Sequence, residues 1–252
     1  MRWIKGLIPT VIILLGALLL GCICYISIWG VPSFVVQRVE QALLEKGIPS
    51  HIETLKVTLW PRAVVTLKNV ELLDTEAMPE TRRPIVLLHE ADVALNWKKL
   101  IEGQVVPERV NVKGMDVTLP VDAGNPEKVF SVTGVNAELN LGRPGMVDIV
   151  KADAVVQGIR VTAQGAFSIG QDDSGDFTLT AQDMGAVREQ LNQVLNYMDR
   201  VKWPDASPPR LIVNLSDDPK GGVRVGMDLQ ATVLRYGKIM VRDFLFSGDY
   251  AD

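Results

Sequence analysis

His51 and His89 are the only histidines in the chain, and neither has a second histidine or a cysteine at the spacing that closes a metal site. Cys22 and Cys24, the only cysteines, lie together in an apolar stretch. Asp172, Asp173 and Asp176 have the chemistry of a weak calcium site, but Ser174-Gly175 among them reads better as a solvated hairpin loop. Asp217 and Asp218 before Pro219 read the same way. Glu90 and Asp92 are two residues apart in an alternating stretch, so a strand would put both on one face, as paired carboxylates need for acid–base work. There is no Gly-x-Ser-x-Gly elbow, Gly-rich phosphate loop or HExxH. The reading is of a protein that is not an enzyme and carries no metal or cofactor.

Composition narrows the classes further. The 252 residues are 47% hydrophobic and 22% charged, which suits one or two folded domains and argues against disorder. A net charge of −4 and 6% aromatic content disfavour a nucleic-acid partner.

Leu7 to Trp29 is a run of 23 residues without a charge, long enough as a helix for a ~30 Å hydrocarbon core. Arg2 and Lys5 precede it and no basic residue follows until Arg38, so the positive-inside bias keeps the N-terminus in the cytoplasm and exports the rest. Leu19-Leu20-Gly21-Cys22 loosely resembles a lipobox, but Ile23 to Trp29 continues apolar where a lipoprotein has a polar tether. An uncleaved anchor over residues 1–30 is therefore expected, with residues 31–252 as the exported domain or the first part of a longer one. Beyond the span there are 24 basic and 30 acidic residues, and such a surface is not expected to be attracted to anionic lipid head groups.

Pro32 opens a short helix that stops at Gly47 and places Val35, Val39, Ala42 and Leu43 on one side. From His51 onward the apolar residues alternate with period two, as in strands with one apolar face. Leu55, Val57 and Leu59 begin the pattern; Val135 to Leu141, Ile159 to Ile169 and Val223 to Val233 repeat it. At Gly114 and again at Gly134 the alternation slips by one residue, and a bulge would return the apolar side chains to one face and bend the sheet. Asp183 to Trp203 interrupts the strands with apolar residues at helical spacing, Met184, Val187, Leu191, Val194, Leu195, Met198 and Val201. It reads as a helix packed on the apolar sheet face, since Asp183, Glu189 and Asp199 offset Arg188, Arg200 and Lys202 and make a membrane-lying helix less suitable.

The fold expected is mainly β: a curved antiparallel sheet of about eleven strands forming an open apolar groove, with one packed amphipathic helix. So wide a sheet with so little to cover it must fold on itself, find a partner or leave an apolar groove. The residues expected to line that groove for acyl chains are Leu95, Val112, Val117, Leu139, Val161, Phe167, Val225 and Leu229.

The segments Leu55-Lys56-Val57-Thr58-Leu59-Trp60-Pro61 and Val64-Val65-Thr66-Leu67-Lys68-Asn69-Val70-Glu71-Leu72 resemble the opening of AsmA-like proteins. The resemblance runs on through Ala91 to Gly103 and Val110 to Leu119, and beyond residue 130 only a general style of repeated strands is shared. It implies an inner-membrane protein of a diderm bacterium with a periplasmic β-groove, associated with phospholipid movement or outer-membrane assembly. Its partners would be membrane lipids, the inner membrane and envelope proteins. The rival reading is a membrane-anchored scaffold whose sheet edge or apolar face docks a protein and carries no lipid.

Overall fold

The computed structural model describes residues 31–45, 48–73, 84–121, 125, 127–143, 145–168, 181–218 and 222–251. The uncharged run Leu7–Trp29 and the cluster Asp172, Asp173 and Asp176 lie outside them. Among the described residues no helix is long and apolar enough to cross a membrane.

The fold is mainly β, a curved and unclosed sheet of eleven strands with few helices. Helix α1 (Ser33–Glu45) precedes strands β1 (Ser50–Thr58), β2 (Val64–Leu73) and β3 (Pro84–Leu95). Helix α2 (Trp97–Ile101) leads into β4 (Pro107–Pro120), β5 (Val129–Asn140), β6 (Met146–Val156) and β7 (Ile159–Ser168). Helix α3 (Ala181–Met198) is followed by β8 (Val201–Lys202), β9 (Arg210–Asp217), β10 (Val223–Tyr236) and β11 (Ile239–Ala251).

Ten strands follow one another across the sheet, while the two-residue β8 stands off this path and pairs with β10. Nine spacings of ~4.8 Å make the sheet about 43 Å across, somewhat less than eleven full strands would give. Neighbours are antiparallel with one exception: β7 and β9 run parallel, Arg160 beside Arg210 and Gly165 beside Leu215. A tight hairpin reverses the chain, whereas the stretch containing α3 returns it to the rim where β7 began. The expectation of an antiparallel sheet throughout is corrected at this junction.

Two more boundaries differ from the sequence reading. The helix expected over Asp183 to Trp203 ends at Met198, and Val201 joins Tyr236 in a short ladder. Pro204 disfavours helical backbone just before it, and β10 offers free strand partners. Val233 continues the apolar alternation on paper, yet the ladder passes over Thr232 and Asp243 and pairs Leu234 with Val241. Asp243, at φ 51°, absorbs the slip.

Buried apolar side chains are few among the described residues, and the one compact cluster lies beneath α1. Val36, Ile52 and Val70 form its centre, with Val39, Leu43, Leu55, Leu67, Leu72 and Leu88 around them. Val36 takes the position expected of Val35, and Ala42 faces solvent. The helix is tied down where Glu40 accepts the Ile52 N–H at 2.7 Å.

Candidate functional site

The strand registers assemble the apolar residues into lateral rows. One row runs through Val57, Val65, Val93, Val110, Leu139, Ile149, Gly165, Leu215, Val225 and Tyr250, one residue from each of ten strands. The next runs through Leu55, Leu67, Ala91, Val112, Ala137, Ala152, Ala163, Val213, Met227 and Gly248. A third includes Ile52, Val70, Leu88, Met115 and Val135, and further along the sheet Val161, Leu211, Leu229 and Phe246. A fourth includes Leu72, Val86, Val117, Val132, Val156 and Ile159.

All four rows belong to one face. Ile159, Val161 and Ala163 alternate without a break in β7, as do Leu229, Met227 and Val225 in β10, so the residues of all four rows point the same way. Between the second and third rows β1, β2, β3 and β4 slip by one residue, while β6 slips between the first and second rows and β5 between the third and fourth. The ladders show where: pairing passes over Glu53 and Asn69, over Asn69 and His89, and over His89 and Gly114. Asn69, Gly114 and Gly134 have positive φ at these points. Side chains from the adjoining strands satisfy backbone groups the slips leave free. Asn136 accepts the Gly114 N–H at 3.1 Å and Asp116 accepts the Gly134 N–H at 2.7 Å, while the Asn69 side-chain amide donates to the Glu53 carboxylate across the first slip. The slips at Gly114 and Gly134 were legible as breaks in alternation. Those at Glu53, Asn69 and His89 went unread, although paired polar residues between apolar ones (Glu53-Thr54, Lys68-Asn69, His89-Glu90) mark each of them.

Of the groove residues expected from sequence, Val112, Val117, Leu139, Val161, Val225 and Leu229 stand within these rows. Phe167 pairs with Val147 beyond the first row. Leu95 sits at the rim, where its N–H donates to the Ala63 carbonyl at 2.8 Å. All eight are half-buried and none is fully covered. Four rows across about 43 Å make an apolar surface on the order of 1,000 Å², above the few hundred that monomers ordinarily expose. Helix α1 covers the β1–β3 corner. Helix α3 leans on β5 and β8, held where Lys128 Nζ donates to Asn192 and Asn196 at 2.6 Å each, with Leu195 buried.

The opposite face carries charges in matching ladders. Lys113 reaches Glu90 at 2.6 Å and Asp92 at 3.1 Å, and Lys68 reaches Glu90 at 2.8 Å. Hydrogen bonds from Lys113, then Lys68, hold the Glu90 carboxyl down from 4.5 to about 2. Glu90 and Asp92 do share a face, bridged by one lysine, and a carboxylate held so low is a weak base at neutral pH. Lys151 lowers Asp153 in the same manner, at 2.7 Å. His89 lies 3.9 Å from Asp116 and His51 lies 3.2 Å from Glu40.

No family, curated protein or solved structure matches this chain. The functional reading rests on the geometry of the apolar face.

Proposed function

We propose that this protein is anchored in the inner membrane by Leu7–Trp29 and holds acyl chains of membrane lipids on the apolar face of a periplasmic β-groove. The observation that carries this reading is the continuity of the apolar rows: the first two cross ten strands without a charged residue, and neither α1 nor α3 covers their length. A surface of that kind stays exposed at a cost unless apolar matter covers it. An acyl chain fits the requirement, being as deep as half the ~30 Å bilayer core. A groove of about 43 Å then holds acyl chains but does not span two membranes. The likeness of residues 55–119 to the opening of AsmA-like proteins supports the same assignment to lipid transport or outer-membrane biogenesis.

The test is photocrosslinking from a photoreactive residue at Leu139 or Val225 in cells, with mass spectrometry of lipids that co-purify with the protein. Lipid adducts at both positions support the reading, and their absence in a folded, membrane-retained protein removes it.

The scaffold reading draws on a separate feature. The outer edge of β11 has no strand partner among the described residues, and Leu245 on it is 75% exposed. Long apolar edges invite a further strand. A photoreactive residue at Leu245 that yields protein adducts, with none to lipid at Leu139, favours the scaffold.

A further inference from the structure

The loops joining β1 to β2 and β3 to β4 meet at one rim of the sheet. They are linked by the Leu95 to Ala63 hydrogen bond and, with Asn140 and Gly142, line an open cleft of about 710 Å³. This rim exposes large apolar side chains that no other element covers: Trp60 is 84% exposed, Trp97 47%, Ile101 72% and Val105 72%. Cations flank them. Residues 59–63 and 96–109 hold Arg62, Lys98, Lys99 and Arg109 against Glu102 and Glu108, so the rim is locally basic in a chain of net charge −4. Lys99 is paired with Glu102 at 2.9 Å, and Arg109 lies 3.8 Å from Glu138. Arg62 and Lys98 have no ion pair among the described residues.

We propose that this rim docks on the head-group layer of the bilayer that holds the anchor, with Trp60 and Trp97 at the interface and Arg62 and Lys98 on anionic lipid phosphates. Tryptophan beside lysine or arginine is the composition that partitions to this layer, because the ring is apolar at one end and donates a hydrogen bond at the other. Chain geometry supplies the second argument, and it rests on the anchor proposed above. Val31 donates to the Leu55 carbonyl at 2.8 Å, and only Gly30 separates Val31 from the end of the uncharged run at Trp29. Val31, bonded to the middle of β1, therefore lies within about 7 Å of the point where the chain leaves the bilayer. Leu55 lies three residues from Thr58, where β1 runs into the Trp60 loop, and five from Ser50 at the other end, about 10 Å against about 17 Å. The Trp60 end of β1 is thus the end nearer the anchor, and docking there sets the first strands of the apolar face against the lipid surface.

The experiment uses the full chain in vesicles of phosphatidylethanolamine and phosphatidylglycerol. Cys22→Ala and Cys24→Ala clear the background, and a nitroxide is attached at Trp60→Cys, Trp97→Cys or Lys238→Cys, the last in the turn at the opposite rim. The labels at positions 60 and 97 are expected to collide several-fold less with a water-soluble nickel chelate than the label at 238, and more with oxygen. Arg62→Glu with Lys98→Glu is expected to abolish that shielding while leaving the protein in the vesicles. Labels at 60 and 97 as water-accessible as at 238, in protein that resists carbonate extraction, would overturn rim docking and leave the anchor standing. Protein released by carbonate would overturn the anchor, and rim docking with it. Full shielding in the double charge variant would overturn the role of the two cations.

Discussion

Gly114 and His89 face each other across β4 and β3 where both strands slip, so closely that a Cβ on Gly114 would lie 2.9 Å from His89 Cδ2. Gly114 also has φ 69°, a conformation that costs side-chain-bearing residues about 1 kcal/mol or more. Gly134 has φ 63°, but a Cβ there would meet nothing within 4 Å. The two glycines separate backbone strain from steric conflict. Gly134→Ala is expected to lose about 1 kcal/mol and Gly114→Ala distinctly more, with His89→Ala removing most of the excess in a double-mutant cycle by urea denaturation. Equal losses at the two glycines would mean the His89 contact has no energetic weight.

At the parallel junction, a Cβ on Gly165 would fall 1.9 Å from the Leu215 carbonyl oxygen, which is backbone and cannot swing aside. Gly165→Ala is therefore expected to cost about 3 kcal/mol, the upper end for overpacking, and to open the β7–β9 ladder. Hydrogen exchange should accelerate in β9 before it does in β2 or β3. Unchanged protection in β9 would count against so close an approach.

The ladder on the polar face makes stability depend on pH in a defined window. Glu90 is held near 2 in the fold against an ordinary 4.5, so its ionised form favours the folded state. That contribution is complete above about 4.5 and is lost as pH falls towards 2. Lys113→Gln removes the first cause of the shift. The difference in urea midpoint between wild type and this variant should be widest near neutral pH and close as pH falls through that window. A gap that stays constant with pH would show that Glu90 does not draw its shift from Lys113.

Positions on the apolar face should divide by what covers them. Ile52 is buried under α1, so Ile52→Ala is expected to cost about 2 to 4 kcal/mol and Ile52→Asp to prevent folding. Leu139 and Val225 are half-buried and lie away from α1. Leu139→Glu and Val225→Asp are expected to leave a folded protein that no longer crosslinks to lipid. Circular dichroism and proteolysis test the first half of this expectation and lipid crosslinking the second. Insoluble Leu139→Glu protein would mean these positions form a closed core.

That the chain makes strands with one apolar face can be read without the fold, because period two survives through β7 and on either side of the slips in β4, β5 and β10, whatever they pair with. The sequence also marked two of the slips, since a glycine at a break in alternation supplies the backbone freedom that a bulge requires. How far the rows extend is visible in the fold alone. Register is a relation between distant segments, and the aligned slips at Glu53, Asn69, His89 and Gly114 look like isolated polar residues until the strands lie side by side. The parallel β7–β9 pair was illegible for the same reason: periodicity is identical in either direction, and the return path through α3 sets the direction. The basic, tryptophan-bearing rim was hidden by averaging. Net charge sums over the chain, whereas Trp60 and Arg62 come beside Trp97 and Lys98 only because two hairpins end at one rim.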